Sequence, residues 1–424
     1  MLDTTKTEKK PSKWNNLILH LHPKFINEKA LNYTLTFGLG GMAALLFVLL
    51  ALTGMLLRFT YVPTPDQAYD SIQHLKSNIL YGDLIRNIHH WSATLLILIS
   101  FLHMLRVLFT GAYTGKRGSN WVIGVVMLVL VFFSGFSGYL LPWDQLSYWA
   151  VTVVTSMLLY IPFIGESINQ AIIQGSEIGA PTLLLFYTMH TGILPLAMVL
   201  LMSFHFWKVR KAGGVVIPNE HDDKLKKVAV IPNLVSKEFT VALILIALLL
   251  ILSVFFNAQF GEPANPSITP NPTKAPWYFM GFQELILHFH PLISAVLIPT
   301  FILVALFYLP KIKNVTPNEG VWFLSKTGKK LATTVSILGL ICTFVYVVLD
   351  EFVFINIALF KYGLLNFILF IVFLIGGTFY LKKRFNTNKA ETLQTIIVFL
   401  ISCFITLTII GIFFRGEGMQ LTFF

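Results

Sequence analysis

The sequence predicts an all-α integral membrane protein, and three features lead to that fold class. Of its 424 residues, 55% are apolar and only 12% are charged, a balance too hydrophobic for a soluble domain of this length. Apolar runs long enough to cross about 30 Å of hydrocarbon recur along the chain. Basic residues gather beside every second gap between these runs, as in proteins whose cytoplasmic loops are positively charged.

About nine transmembrane helices are predicted, one from each apolar run. In chain order the runs cover residues 36–57, 89–110, 121–141, 183–207, 239–257, 292–310, 331–349, 364–381 and 394–414. The polar residues 1–35 that precede them predict a cytoplasmic interfacial segment, and we see no secretory signal peptide there.

The positions of the basic residues predict the topology. Of the 31 Lys and Arg residues, the loops on one side hold only Arg58, Lys76, Arg86, Lys274, Lys361 and Arg415. The side richer in basic residues is therefore expected to be cytoplasmic, with the N-terminus there and the C-terminus outside. This topology accounts for the net charge of +11 without a nucleic-acid partner and fits a bacterial cytoplasmic membrane.

Four histidines recur at helical spacing in the second and fourth predicted helices. His89 and His103 are 14 residues apart, so they share one helix face at a separation of about 21 Å. His190 and His205 repeat the pattern with 15 residues. The two helices run in the same direction, so His89 can face His190 near the outer surface while His103 faces His205 near the inner one. A single membrane histidine is usually a packing or polar-network residue, whereas two facing pairs predict two stacked haems b.

Glycines in the neighbouring helices repeat the spacing of the first histidine pair. Gly40 and Gly54 lie in the first predicted helix, and Gly124 and Gly138 lie in the third. Glycine would let a flat macrocycle approach the backbone, so these four residues are predicted to line the haem sites. Glycines that serve only helix packing are the alternative.

Three basic residues lie beside the histidines. Arg86 precedes His89 by three residues, and Arg106 and Lys208 follow the two inner histidines by three. Each shares a face with its histidine and points toward the nearer membrane surface. We therefore expect them to bind haem propionates, with ordinary interfacial snorkelling as the alternative.

At this point three segments resemble cytochrome b of the Rieske/cytochrome b complexes, most of all the bf type. They are LIRNIHHWSATLLILISFLHMLRVLFTGAY, SGYLLPWDQLSYWAVTVVT and FYTMHTGILPLAMVLLMSFHFWKVRK. The resemblance is specific over residues 36–212. It continues more loosely through IPNLVSKEFTVALI and PANPSITPNPTKAPWYF, which are similar to a second half that some relatives carry as a separate subunit IV.

The resemblance implies a quinol-oxidising site on the outer side, a quinone-reducing site on the inner side and two haems b between them. Outer loop 258–291 offers Tyr278 and Glu284 for the chemistry of quinol, which moves protons with electrons. On the inner side, Glu238 matches an acidic quinone-site residue of some relatives. We expect Tyr278, Glu284 and Glu238 to be the catalytic side chains.

The chain departs from the family at two positions. The family's Pro-Glu-Trp-Tyr motif reads Ala275-Pro276-Trp277-Tyr278 here, so Pro276 replaces the quinol-binding glutamate and Glu284 is the candidate substitute. Relatives of the bf type bind an extra haem covalently through a cysteine at the start of the first helix. Gly38 stands there, so no covalent haem is expected at that position.

The resemblance divides the chain into five parts. After the N-terminal segment come a four-helix di-haem domain at 36–212, a cytoplasmic linker at 213–238, subunit IV-like helices at 239–349 and additional helices at 350–424. We expect a subunit of a proton-translocating quinol:cytochrome c-type oxidoreductase, operating a Q cycle and dimeric within its complex. The chain has no motif for an iron–sulfur cluster or haem c, so a Rieske protein and a c-type cytochrome are its expected partners, besides lipid.

The sequence leaves two other functions open. Because Pro276 removes the expected carboxylate, the chain could instead be a di-haem membrane subunit that links the quinone pool to another periplasmic redox enzyme without bifurcation. A cofactor-free transporter is the alternative from a different class. It would require intramembrane acids or inverted-repeat symmetry, and neither is evident in the sequence.

Overall fold

The structure is a computed structural model that describes residues 23–218, 226–312, 319–354, 357 and 363–422. Within these ranges, nine helices are long and apolar enough to cross a membrane, which confirms the predicted fold class and helix number. Residues 1–22 of the predicted interfacial segment and 219–225 of the predicted linker lie outside the described ranges.

The nine membrane-spanning helices are called the first to ninth spans. Their bounds, in chain order, are Leu39–Arg58, Gly82–Phe109, Gly115–Leu140, Ala180–Lys211, Val230–Phe255, Leu292–Lys311, Lys326–Phe352, Leu364–Phe385 and Lys389–Phe413. The second span begins seven residues before the apolar run that predicted it. Its first turns carry Asp83 and Arg86, and a negative charge at a helix N-terminus is favourable, so the helix continues where the hydropathy ends.

Four shorter helices lie in the loops on the side that the topology places outside. They are Pro65–Asn78, Gln145–Met157, Gly165–Ile173 and Trp277–His288. We call Trp277–His288 the outer helix, and it occupies part of the segment predicted as loop 258–291. These helices are too short to cross a membrane, so apolar run length could not reveal them.

Asp144 joins one of these short helices to the loop that precedes the outer helix. Its Oδ1 accepts a hydrogen bond from the backbone N–H of Ser147 at 2.9 Å and caps the helix Gln145–Met157. Its Oδ2 accepts from the N–H of Gly261 at 3.0 Å. This buried carboxylate therefore fixes the loop in place.

Two short strands tie the start of the described chain to the predicted linker. Phe25–Asn27 pairs antiparallel with Lys227–Ala229. Strand Lys227–Ala229 leads directly into the fifth span, whose start lies on the predicted cytoplasmic side.

The two halves of the chain share one hydrophobic core on the predicted cytoplasmic side. The indole N–H of Trp121 in the third span donates to the carbonyl of Leu306 in the sixth at 2.7 Å. Gln394 of the ninth span donates to the carbonyl of Leu108 at 3.1 Å. Around these bonds, buried side chains of the second, third, seventh and ninth spans form a single cluster.

The ninth span covers the outer helix. It packs along the seventh span and along Trp277–His288, so the outer helix lies between the C-terminal helices on one side and the third span on the other. Gly281 and Gly411 permit this close approach. A Cβ on Gly281 would lie 2.7 Å from Phe404, and one on Gly411 would lie 2.4 Å from Met280.

Candidate functional site

The outer histidines of the second and fourth spans face each other. The ring centroids of His89 and His190 are 6.2 Å apart, and the ring planes are inclined by 72°. Two imidazoles that each bind one metal ion at about 2 Å have their centroids about 6 Å apart. The separation therefore suits two imidazoles that would hold one iron between them.

Hydrogen bonds fix which nitrogen each outer histidine presents. Nδ1 of His190 lies 3.0 Å from the carbonyl oxygen of Ser134, which can only accept, so Nδ1 carries the hydrogen. Nδ1 of His89 lies 2.9 Å from Oγ1 of Thr53, whose own hydrogen goes to the carbonyl of Leu49 at 2.7 Å. Each Nε2 is therefore left with its lone pair, as a metal-binding imidazole requires.

The inner histidines also come together. His103 of the second span lies within electrostatic range of both His205 of the fourth span and Arg106. All four histidines predicted as ligands are thus arranged in two pairs, each formed by the same two spans.

A π turn explains why the two histidine pairs have different spacings. In the fourth span, Ala180–Thr188 and Leu194–Lys211 are joined by the π turn Met189–Ile193, which contains His190. A π turn takes one residue more than an α turn. The 15 residues from His190 to His205 therefore advance round the helix much as the 14 from His89 to His103 do.

Each of the four predicted glycines lies against one of the four histidines. A Cβ on Gly138 would be 2.5 Å from Cε1 of His190, and one on Gly54 would be 3.2 Å from Cε1 of His89. At the inner pair, Gly40 and Gly124 stand in the same relation to His103 and His205, at 3.2 and 3.7 Å. The glycines thus give the imidazoles room beside the first and third spans.

The three basic residues predicted to bind propionates have different surroundings. Arg106 is 5% exposed and donates from Nε to the carbonyl of Leu35 at 2.8 Å, while its Nη2 is buried without a hydrogen-bond partner. Arg86 instead donates to the carbonyls of Ala258 and Gln259, at 3.1 and 2.6 Å. Half-buried Lys208 donates to Ser119 at 3.1 Å and lies over the ring of Phe204. Arg106 is therefore the one with a buried donor free for an anion.

Tyr278 lies on the side of the outer helix that faces the third span. Its ring packs among Phe132 and Phe279, and its hydroxyl is 3.3 Å from where a Cβ on Gly135 would be. Burial raises the pKa of this phenol above its ordinary value, so it remains a hydrogen-bond donor at any physiological pH.

Glu284 lies on a different side of the outer helix from Tyr278, against the C-terminal helices. Its side chain is fully buried, and Arg415 donates to it from Nε at 3.0 Å and from Nη2 at 3.0 Å. Burial alone would raise the pKa of Glu284, but His288 and Arg415 outweigh it and lower that pKa. The structure therefore does not bring Glu284 and Tyr278 together, and a catalytic role for Glu284 stays a prediction.

The other predicted positions lie at the predicted cytoplasmic side. Glu238 is exposed near the start of the fifth span, beside Lys237, which donates to the carbonyl of Leu31 at 2.8 Å. Gly38 has a φ of 67°, a left-handed conformation that favours glycine, and a Cβ there would lie 3.2 Å from Val241.

The partners of Glu284 were not predicted from the sequence. His288 follows Glu284 by four positions, which is a helical spacing, but both lie in the segment predicted as loop 258–291. Asp350, Glu351 and Arg415 gave no such signal, because they join the cluster from the ends of the seventh and ninth spans.

Nine spans and two facing histidine pairs define the class, a multi-pass membrane protein of the cytochrome type. The family model described as cytochrome b/b6/petB matches residues 26–213. Cytochrome b6 of Prochlorococcus marinus (strain MIT 9515) is 41% identical over 175 residues, which are 41% of this chain and 80% of that protein. The chain belongs to the cytochrome b family.

Further comparisons extend this result. Cytochrome b6 of Porphyra purpurea is also 41% identical over 175 residues, covering 81% of that protein. A solved structure titled "Hyperthermophilic respiratory Complex III" has a TM-score of 0.65 and 23% identity, covering 94% of this chain and 96% of that chain. The family model thus covers the first four spans, and the likeness of fold extends over nearly the whole chain. Membership of the family implies haem b as cofactor.

Proposed function

We propose that this protein is the cytochrome b subunit of a proton-translocating quinol:cytochrome c-type oxidoreductase. It oxidises quinol on the outer side of the membrane and reduces quinone on the inner side. The supporting observation is the outer histidine pair, with ring centroids 6.2 Å apart and both Nδ1 atoms engaged by the first and third spans.

The residues present suit two haems b. His89 and His190 would hold the outer haem, His103 and His205 the inner one, with Gly40, Gly54, Gly124 and Gly138 beside them. When bound, the haems supply one-electron transfer between the two sides of the membrane. The buried Nη2 of Arg106 suits a propionate near the inner pair.

The remaining basic residues take different parts in this proposal. Arg86 holds the outer loop through two carbonyls and brings a positive charge to the predicted outer end of the second span. Lys208 offers an exposed ammonium at the other end of the histidine pairs. Arg86 and Lys208 would thus attract propionates through their charge, whereas Arg106 also offers a buried hydrogen-bond donor.

Tyr278 is the proposed quinol-binding residue of the outer site. Its phenol keeps its proton and can donate a hydrogen bond to a quinol oxygen. The ring belongs to an apolar wall with Phe132, Phe136 and Phe279, which excludes water from that side. Glu284, one and a half turns further along the outer helix, is the proposed acid that replaces the carboxylate absent at Pro276.

Glu238 is the proposed acidic group of the inner site. It lies near the start of the fifth span, where the basic loops gather, and its exposure allows it to exchange protons with cytoplasmic water. A quinone reduced there would take up protons from the cytoplasm.

The proposal also assigns partners and location. A Rieske iron–sulfur protein and a c-type cytochrome would accept the second electron outside, in a dimeric complex embedded in bacterial inner-membrane lipid. The relatives named cytochrome b6 and the Complex III structure of like fold support an assembly of this kind.

A redox titration of the purified complex tests electron bifurcation. Quinol is added in the presence of an inner-site inhibitor, an outer-site oxidant follows, and haem b is monitored by visible spectroscopy. We expect haem b to become more reduced when the oxidant is added, because the first electron of each quinol leaves through the Rieske protein.

The same titration distinguishes this function from that of a di-haem subunit without bifurcation. Pro276 occupies the N-cap position of the outer helix, so no carboxylate stands at the family's quinol-binding position. This observation favours a membrane subunit that transfers electrons between quinone and another enzyme. In that case both haems would simply become oxidised when the oxidant arrives.

A further inference from the structure

A cluster of buried charges lies between the outer helix and the C-terminal helices, and neither the haem pairs nor Tyr278 uses it. We call Glu284, His288, Asp350, Glu351 and Arg415 the outer charge cluster. The outer helix contributes the first two residues, the end of the seventh span the next two, and the segment after the ninth span the last. The predicted topology places all three segments on the outer side.

His288 is the centre of this cluster. Its Nδ1 is 2.6 Å from Oδ2 of Asp350, and its Nε2 is 3.6 Å from Oε2 of Glu284. The residue is 3% exposed, and Nε2 has no hydrogen-bond partner within bonding distance. A buried imidazole nitrogen is thus aimed at a carboxylate just beyond bonding distance.

The three side chains form a path from the interior toward water. The side chain of Glu284 is 0% exposed, that of His288 is 2% exposed and that of Asp350 is 15% exposed. Asn366 of the eighth span donates to the other oxygen of Asp350 at 2.8 Å and holds it in place. A carboxylate, an imidazole and a second carboxylate are the groups that proton relays in membrane proteins use.

The charges around His288 favour its protonated form. Glu284 faces it from its own helix and Asp350 from the seventh span, which also presents the ring of Tyr346. Arg415 and Glu351 form the neighbouring ion pair at 3.0 Å. Burial alone would lower the pKa of His288, but the hydrogen bonds and charges of Asp350 and Glu284 raise it. An imidazolium here can hold a proton briefly.

We propose that Glu284, His288 and Asp350 form a proton relay that carries a proton of quinol oxidation from the outer site to the outer surface. The relay rests on the proposed outer quinol site. Arg415 is a positioning residue within the relay, because it donates two hydrogen bonds to Oε2 of Glu284 and holds that oxygen toward His288.

The transfer is balanced in protons and involves no electrons. In the neutral form that the ring adopts between two transfers, the imidazole carries its hydrogen on Nδ1, toward Asp350. A proton released by quinol passes through Glu284 to Nε2, and the imidazolium then releases its Nδ1 proton through Asp350 to water. A flip of the ring restores the starting tautomer, so one proton has entered and one has left.

Replacement of the histidine tests the relay in the purified complex. His288→Asn keeps an N–H near the Nδ1 position, for Asp350, but cannot pass a proton through the side chain. The rate of haem b reduction by quinol is measured against pH with the inner site inhibited. We expect the limiting rate at saturating quinol to fall about tenfold or more with the half-saturating quinol concentration unchanged, and the pH dependence due to His288 to disappear.

His290→Asn is the matched control. His290 is exposed, two residues along the chain. Its Nδ1 accepts a hydrogen bond from the N–H of Leu292, which asparagine can replace, and its ring lies edge-on to that of Tyr160. Its rate and pH profile should equal those of the unchanged protein. If His288→Asn behaves like His290→Asn while bifurcation persists, the relay is overturned and the proposed function stands. If the unchanged complex does not oxidise quinol, the proposed function fails, and the relay with it.

A second variant covers the case in which His288→Asn fails to assemble with normal haem spectra. Asp350→Asn breaks the same path at its exposed end and preserves the shape of the side chain. It should also slow quinol oxidation and reduce the solvent isotope effect measured in deuterium oxide. An unchanged rate and isotope effect in Asp350→Asn would overturn the relay.

Discussion

At the residue scale, the tightest of the four glycine–histidine approaches is that of Gly138 to His190. A Cβ at Gly138 would lie 2.5 Å from Cε1 of the ring, closer than side-chain atoms approach one another. The imidazole cannot retreat freely, because its Nδ1 is bonded to the third span itself at Ser134. Gly138 therefore determines where the ring of His190 lies.

Gly138→Ala should displace His190 and weaken the outer haem site. We expect the outer haem b to lose intensity or shift its midpoint potential in a redox titration followed by visible spectroscopy, while the inner haem is retained. Gly41→Ala is the control, because a Cβ there would have no neighbour within 4 Å. Equal spectra for the two variants would contradict the proposed role of Gly138.

The pH dependence of stability should reveal the outer charge cluster. The pKa of His288 is raised from 6.5, so its stabilisation is complete below pH 6.5 and is lost as pH rises through the raised value. The pKa of Glu284 is lowered from 4.5, so its stabilisation is complete above pH 4.5 and is lost as pH falls through the lowered value. Both contributions are complete between pH 4.5 and 6.5.

Thermal unfolding of the detergent-solubilised complex, measured against pH, checks this window. We expect the midpoint temperature to decline on the alkaline side of pH 6.5, and we expect that decline to be smaller in His288→Asn. A decline of the same size in both proteins would show that other groups cause it.

The residues of the site were predictable to different degrees. The four histidines and four glycines follow from helical periodicity, because each set lies within single helices of known rise and twist. The cluster around His288 could not be derived that way. Asp350 and Arg415 lie 62 and 127 positions after His288 in the chain, and only the packing of the C-terminal helices brings them into the cluster.

At the scale of elements, the segment after the ninth span holds the loop that leads into the outer helix. Lys274 donates to the carbonyl of Ile412 at 3.0 Å, and the N–H of Gly418 donates to the side chain of Asn271. The same segment sends Arg415 to the outer helix itself. The end of the region predicted as additional helices at 350–424 thus stabilises the outer side.

Arg415→Ala should destabilise the protein by about 3–5 kcal/mol, because it leaves the buried carboxylate of Glu284 without its guanidinium partner. The measurement is thermal unfolding at constant pH. Lys226→Ala provides the contrast, since it breaks the exposed ion pair with Glu28, whose side chains are 73% and 51% exposed. That loss should cost less than about 1 kcal/mol, and comparable losses would contradict a stabilising cluster.

Helix number was easier to predict than helix ends. An apolar run of sufficient length is a strong signal, so all nine spans were found. The polar turns at the start of the second and seventh spans, and the short helices outside the membrane, carry no such signal. Their positions depend on caps such as Asp144 and on contacts between distant segments.

At the scale of the whole molecule, the basic residues and the nine spans together predict which surface faces the cytoplasm. The predicted cytoplasmic side carries the two-stranded sheet and the shared core of both halves. The other side carries the short helices, the outer charge cluster and Tyr278. Quinol chemistry and proton release are thus proposed for the side with few basic residues.

Cysteine labelling tests this orientation. Ser267→Cys lies in the exposed loop before the outer helix, and Thr327→Cys is exposed at the start of the seventh span. In intact cells, a membrane-impermeant maleimide should label the first variant and not the second. The unchanged protein, whose Cys342 and Cys403 lie within spans, serves as the background. The reverse labelling pattern would invert the topology.

The π turn at Met189–Ile193 affects how the sequences of related proteins should be aligned. It absorbs one residue locally, so a single insertion or deletion in this stretch need not rotate His190 away from His89. The number of residues between two histidines is then an unreliable measure for comparing distant relatives. An alignment that places its gap inside the π turn matches rings that occupy equivalent positions, whereas a gap elsewhere in the helix pairs residues from different faces.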